Sequence, residues 1–251
     1  MGEQVKALLR DHADGNFLGM PYQVMHQPIV SSAEPSKTLA SELTVKPCHG
    51  GNAATLIEYA KARSSLVELD LSIIESISRL SYHQLPPNKP IWVNLFPCTL
   101  TSSTAVAEIC EHALNSKVPV CFEITEGEVL SDYGVITDNL NALRSTGAGI
   151  VLDDFGAGAS SIRMLLEIPF DAVKVDWKVF QLCAENPVHH PMLLGIIKSI
   201  SQVGSIMIAE GVETPAHLSV AQNLGVEFVQ GFHIALPEKV SASPFKLAAD
   251  F

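Results

Sequence analysis

Short apolar runs rich in β-branched residues alternate with helical patterns from about residue 20 onward. Strand-like runs fall at YQVMHQPIV (22–30), TLASELTV (38–45), IWVNL (91–95), PVCFEIT (119–125), GIVLDD (149–154), AVKVD (172–176), SIMIAEG (205–211) and EFVQGF (227–232). Several are continuously apolar rather than alternating, as strands covered on both faces require. Between them LVELDLSIIESISRL (66–80), SSTAVAEICEHALN (102–115), SDYGVITDNLNALRS (131–145), HPMLLGIIKSISQ (190–202) and PAHLSVAQNL (215–224) carry apolar residues three or four apart, the period of an amphipathic helix. Ser131 and Thr214 stand where N-caps are expected. A further short helix is expected over residues 3–13, leading into the first strand across residues 1–20. Eight strands with intervening helices predict an α/β fold, a TIM-type (β/α)8 barrel.

One link departs from that pattern. Only SSAEPSK separates the first two strands, and a parallel crossover needs about a dozen residues. The first strand is therefore expected to run antiparallel to the rest, which makes this a modified barrel. With no linker-like tract and no internal repeat, the chain reads as a single domain over residues 1–251.

Composition narrows the classes of function. Hydrophobic residues make up 47% of the chain, enough for a large core. The net charge of −11 argues against coating duplex nucleic acid, which needs a basic face. Cys48, Cys98, Cys110, Cys121 and Cys183 form no C-x-x-C pair and are odd in number, so reduced thiols and a cytoplasmic location are expected. No run approaches the ~20 apolar residues that span a bilayer, so no membrane insertion by this chain is expected.

The expected strands carry unusual cargo. The second holds Glu42, the third ends at Asn94 and the fourth carries Glu123. The fifth ends at Asp153-Asp154, the sixth holds Lys174 and Asp176, the seventh ends at Glu210 with Glu213 close behind, and the eighth ends at Gln230. The carboxyl ends of barrel strands meet on one rim, where active sites form. Each residue alone has an ordinary explanation as a turn, a cap or a solvated end. Together they do not, because charged groups in buried strands are costly. Oxygen-rich ligation without His or Cys suits Mg2+ or Mn2+ rather than Zn2+. Asp153 and Asp154 then read as ligands, with Asp153 placed to bridge two ions.

The ordered set QPIV (27–30), VNLFP (93–97), EITE (123–126), DDFGAG (153–158), KVD (174–176), AEGVET (209–214) and QGF (230–232) resembles the EAL-domain family over nearly the whole chain. KALLR (6–10) precedes QPIV and is a decoy. The position matching the name-giving motif is ELTVK, Glu42 to Lys46, where Ala-Leu-x-Arg has become Leu-Thr-Val-Lys. The resemblance implies a barrel with its first strand reversed, binding of cyclic di-GMP and, in active members, hydrolysis to linear pGpG with two divalent ions.

It further implies that Glu42, Asn94, Glu123 and Asp153 hold one ion, and Asp153, Asp154 and Glu210 the other. Two ions ~4 Å apart activate a water at neutral pH and stabilise transition-state charge. Lys174 is expected to act electrostatically on the water or the developing charge, with Glu213 orienting Lys174 or a loop. Gln27 and Gln230 are expected to bond substrate or ligands, and Lys46 to meet a phosphate as a point charge where Arg would fork. Ala157 and Ala159 replace residues of a loop tied in the family to metal positioning and dimer contacts, and Leu236 replaces a basic residue. A homodimer is expected. Trp92 and Trp177 read as barrel packing, Trp177 lying close enough to reach the site. His189, His190 and His233 read as structural. Two functional readings follow: a metal-dependent cyclic di-GMP phosphodiesterase, and a degenerate EAL domain that binds cyclic di-GMP or a protein partner without turnover. A barrel enzyme acting on another phosphate ester fits fewer of the motifs.

Overall fold

The computed structural model describes residues 14–80, 84, 89–125, 133–158 and 161–240. Within them the strands are β1 (Gly15–Phe17), β2 (Met20–Ser31), β3 (Thr38–Pro47), β4 (Ile91–Leu95), β5 (Val120–Thr125), β6 (Gly149–Phe155), β7 (Ala172–Val175), β8 (Ile206–Ala209), β9 (Phe228–Val229) and β10 (Glu238–Lys239). The helices are α1 (Ala53–Lys61), α2 (Leu66–Ser78), α3 (Ser103–Asn115), α4 (Tyr133–Ser145), α5 (Ser161–Glu167), α6 (Trp177–Glu185), α7 (His190–Gln202) and α8 (Pro215–Leu224).

Strands β3 to β9 are successively parallel. The inverted strand is β2, antiparallel both to β3 and to β9, and its pairing of Val30 with Val229 closes the barrel. The short link thus leaves the first barrel strand antiparallel to the rest, as expected. Ser32 and Gln222 secure the seam: Ser32 Oγ donates to the Val226 carbonyl, and Gln222 Nε2 donates to the Ser32 carbonyl at 2.7 Å.

All eight expected strands and the described helices among those expected are present within a few residues of their expected limits. Thr214 caps α8 by accepting from His217 N at 3.1 Å. Residues 3–13, KALLR, Glu126, Ser131 and Ala159 lie outside the described residues. The segment following residue 13 is not helical but a hairpin. Strand β1 pairs with β2 through a two-residue turn whose central residues, Leu18 (φ 47) and Gly19 (φ 87), both have positive φ, as tight hairpins prefer. Three helices were not anticipated. Helix α1 carries an Asn52–Thr55 capping box, α5 is short, and α6 is N-capped by Asp176, which accepts from Lys178 N and Val179 N. The Asp of the KVD stretch therefore serves the helix start.

Side-chain alternation stratifies the barrel interior. Ile29, Ala40, Trp92, Val151, Ala172 and Ile208 form an apolar cluster, with Cys121 and Phe228 packed against it. On each of the eight barrel strands the residue two positions nearer the rim is polar: Gln27, Glu42, Asn94, Glu123, Asp153, Lys174, Glu210 and Gln230. A period of two carries both sets to the same inner face, so one dry layer lies under one polar layer. Trp92, 4% exposed, belongs to the lower layer as expected. The opposite strand faces meet the helices in the larger apolar core, which includes Leu43, Phe122, Leu152, Val173 and Phe180.

Helix α2 holds the end of β4. Its Asp70, buried, accepts from Phe96 N at 2.9 Å and Thr99 Oγ1 at 2.5 Å, just past Asn94. Burial outweighs these two bonds and pushes the Asp70 carboxyl up to about 7. The folded value lies above that of an unfolded carboxyl, so the protonated form carries the stabilisation. That contribution is complete below pH ~4 and is lost as pH rises towards 7. An amide at this position does not titrate. The stability difference between wild type and Asp70→Asn, read from urea unfolding, should therefore shift in favour of the variant by up to about 4 kcal/mol between pH 4 and 8. A difference that stays constant with pH would refute the assignment.

Candidate metal and phosphate site

The polar layer converges on one ammonium group. Lys174 Nζ lies 3.1 Å from Glu42 Oε2, 2.9 Å from Glu123 Oε1, 3.2 Å from Asp153 Oδ1 and 2.8 Å from Glu210 Oε1. The four acids come from β3, β5, β6 and the residue after β8, so the barrel closure itself assembles them. Asn94 donates from Nδ2 to Glu42 Oε1 and Glu123 Oε2, both at 3.2 Å. Gln230 Nε2 donates to Glu42 Oε2 at 2.7 Å and to Gln27 Oε1 at 3.2 Å, and Gln27 Nε2 is anchored on the Ala235 carbonyl at 2.8 Å. Gln27 and Gln230 therefore orient Glu42.

Asp153 and Asp154 are neighbours in a strand and should point to opposite faces. A β-bulge changes this. Leu152 pairs with Val173 and Phe155 with Val175, so two residues of β6 stand opposite Lys174 alone. Asp154 takes up the extra length with φ 55, in the left-handed region. As a result carboxylate oxygens of Asp153, Asp154 and Glu210 all lie within 4.8 Å of one another.

The electrostatics are lopsided. Five carboxylates (Glu42, Glu123, Asp153, Asp154 and Glu210) face one ammonium. Burial opposes charge on Lys174, but Asp153, Glu123, Glu210 and Glu42 together outweigh it and raise the ammonium well above its usual range. Burial also works against ionised Glu42, yet Lys174 and the bonds from Gln230 and Asn94 pull it below the ordinary value. The others go the opposite way. Burial, then the Glu42 charge, raises Glu123 well above its usual range, and burial raises Asp153. Burial takes Glu210 to about 8, and burial followed by the Asp153 charge takes Asp154 to about 6. Glu123 Oε1 and Asp153 Oδ1, both buried, are met only by the Lys174 ammonium that they share with Glu42 and Glu210. Five clustered carboxyl groups sharing a single ammonium, all with hard oxygen donors, fit divalent cations of the Mg2+ or Mn2+ class. Asp153, Asp154 and Glu210 fit one ion as a set; Glu42, Asn94 and Glu123 share the neighbouring volume with Asp153.

Three expected residues are placed differently. The carboxylate partners of Lys174 among the described residues do not include Glu213, which is exposed on the rim beside a cleft. It is not a direct partner of Lys174: it follows β8 by four residues, and among the described residues it bonds through its backbone N–H, to His217 Nδ1 at 3.4 Å. Lys46 is exposed at the far end of β3, four residues beyond Glu42 on the same strand face, which is about 13 Å along an extended chain. It is absent from the lining of the cleft. Trp177 is not barrel packing: it is 46% exposed and lines that cleft with Phe232. Its place directly after the Asp176 cap was the one signal for this in the chain. His189 is structural as expected, with Nδ1 3.0 Å from the Leu182 carbonyl.

The sequence profile of the EAL domain family matches residues 20–237. Cyclic di-GMP phosphodiesterase PdeB of Shewanella oneidensis is 29% identical over 234 residues, covering 86% of this chain and 26% of that protein. The chain thus spans about a quarter of that relative's length. A standalone EAL protein from Vibrio cholerae, solved in its cyclic di-GMP-bound form, shares the fold with a TM-score of 0.80 at 24% identity, over 90% of this chain and 95% of that one. BlrP1 of Klebsiella pneumoniae, solved as a manganese and cyclic di-GMP complex, gives 0.76 at 26% identity, over 92% of this chain and 59% of that one.

The raised carboxyls make cation binding compete with protons. Glu210 at about 8 and Asp154 at about 6 lose their protons as pH rises from 6 to 8. Each proton displaced gives up to about tenfold per pH unit. Calorimetric titration with Mn2+ should show affinity rising at least about tenfold between pH 6 and 8. An affinity that does not change over this interval would rule out these two ligands.

Proposed function

This chain belongs to the EAL domain family, and from that premise we propose that it hydrolyses cyclic di-GMP to linear pGpG with two divalent cations, Mg2+ or Mn2+. The supporting observation is the completeness of the polar layer. All six proposed oxygen ligands stand on one inner rim, around a lysine that stays protonated. Bound there, the cations would supply Lewis acidity and a positive field for attack of water on the phosphodiester.

The chain's own residues do the rest. Glu42 is fixed in its ionised form by Asn94, Gln230 and Lys174. Lys174, held charged, is no proton acceptor. It is a fixed counter-charge that offsets negative charge gathering on the phosphoryl group. Asp153 sits between the two ligand sets, and the bulge keeps Asp154 on the same side. Gln27, through Gln230, restrains the Glu42 rotamer. Glu213, on the cleft rim, contacts substrate or its loop from outside the cluster.

The position of Lys46, exposed and away from the acids, supports the second reading, binding of cyclic di-GMP without turnover. Product analysis separates the two. With Mn2+ or Mg2+ the chain should form pGpG, and Glu42→Ala should lower the rate by about 100-fold or more, the upper range for loss of metal-site support. Tight nucleotide binding with no pGpG in either metal would leave only the binding reading.

The same proposal includes a homodimer. On α5, directly after the loop that follows the two Asp, Ile162 (69% exposed) and Leu166 (77% exposed) stand four residues apart and so share one face. Two such faces can meet about a two-fold axis. Sedimentation should show a dimer for the wild type and a monomer for Leu166→Glu. Among the described residues no helix is long and apolar enough to cross a membrane. Cys48, Cys110, Cys121 and Cys183, held in no disulfide, suit a cytoplasmic setting.

A further inference from the structure

The carboxylates account for a cation and a phosphate, but not for a base. The cleft above Glu42 and Glu210, about 300 Å3, has Trp177 and Phe232 in its walls. These rings are 46% and 58% exposed in a chain that buries most of its large apolar side chains. A single exposed aromatic needs no explanation. Two in one cleft, beside an acid cluster that offers an uncharged planar ring nothing, do.

The local backbone holds both rings in place. Trp177 opens α6 directly after its Asp176 cap, and Gln181, one turn on, donates to the Gly211 carbonyl at 2.9 Å. Gly211 has φ +68, and a Cβ there would stand 2.7 Å from Trp177 Cβ. Only glycine lets the loop after Glu210 lie flat against Trp177. On the other side a Cβ at Gly231 would stand 2.3 Å from the Val212 carbonyl oxygen. Val212 N bonds the Gln230 carbonyl and His233 N bonds the Val212 carbonyl, both at 3.0 Å, which fixes the turn that carries Phe232. Loop 210–213 thus lies between the attachment points of the two rings. Lys178 Nζ sits over the Trp177 ring, 5.2 Å from its centroid, and Trp177 lines the cleft with Phe232. Attachment points fixed in this way leave less backbone to order on binding.

We infer that Trp177 and Phe232 form a stacking slot for one guanine base of the dinucleotide, and so determine specificity from outside the ion site. The inference rests on the reading of cyclic di-GMP as the ligand. Aromatic stacking contributes enough per base that loss of one ring should weaken binding about tenfold.

The test uses calorimetric titration of the full chain with cyclic di-GMP in Ca2+, with product analysis to confirm that the nucleotide stays intact. Trp177→Leu and Phe232→Leu should each bind about tenfold more weakly, while Trp177→Phe stays within about threefold of wild type. Mn2+ affinity should be unchanged in all three, which a merely structural role for these rings would not preserve. Nucleotide should quench tryptophan emission in the wild type but not in Trp177→Phe, where Trp92 alone emits. Wild-type affinity in both Leu variants, or a parallel loss of Mn2+ affinity, would overturn the slot while leaving the proposed function standing. Absence of cyclic di-GMP binding by the wild type would overturn both.

Discussion

One enclosed ammonium makes the rim of this barrel possible. Four carboxylates brought within 3.2 Å of a common point would repel one another strongly in a water-poor interior. Lys174, 1% exposed, offsets part of that repulsion and lets strands from opposite sides of the barrel close with their acids inward. It does not offset all of it. Desolvation holds several of the acids towards their neutral forms, and four carboxyl groups share the one ammonium. A cluster with such a deficit is stable enough to form and still attracts more positive charge. That combination is consistent with a divalent-cation site.

The apolar layer beneath it serves the same end. Ile29, Ala40, Trp92, Val151, Ala172 and Ile208 fill the barrel below the acids. They keep the lower side free of polar partners, so the carboxylates can be satisfied only from the rim. The bulge in β6 then settles a question that spacing alone leaves open. Consecutive Asp residues on a regular strand would divide between the core and the interior. The extra residue opposite Lys174 and the left-handed Asp154 bring both to the rim, at a backbone cost of about 1–3 kcal/mol that the surrounding sheet must hold.

Long apolar runs made the eight barrel strands legible, and the shortness of SSAEPSK made the inverted strand legible, because crossover length is a hard geometric limit. The convergent polar layer was legible because carboxylates at strand ends contradict burial. What escaped was short or depended on contacts between distant segments. Helices α1, α5 and α6 have nine, seven and nine residues, too few for a periodic signal to stand out. Strands β1 and β10 exist only as partners of β2. Asp70 looked like one more polar position in an amphipathic helix, and its bonds to Phe96 and Thr99 arise only once α2 lies beside β4. Lys46 was assigned through the ELTVK stretch and Glu213 through its place just after Glu210. In the structure Lys46 is exposed at the end of β3, and Glu213 lines the cleft rim rather than pairing with Lys174.

Net charge now has a specific meaning. An acidic chain at −11 should repel a dianionic dinucleotide at long range. In the proposed complex attraction is confined to one point, where cations held by five carboxylates turn a negative mouth positive. Base recognition at such a mouth would draw little on Lys46, which stands apart from the acids. Neutral groups that the field does not disturb would suit it better. Stacking on aromatic faces meets that condition, because it needs neither charge nor a spare donor. The same field weakens every anion that arrives without a base to stack, so the acidic surface and the neutral walls together would favour a nucleotide over inorganic phosphate.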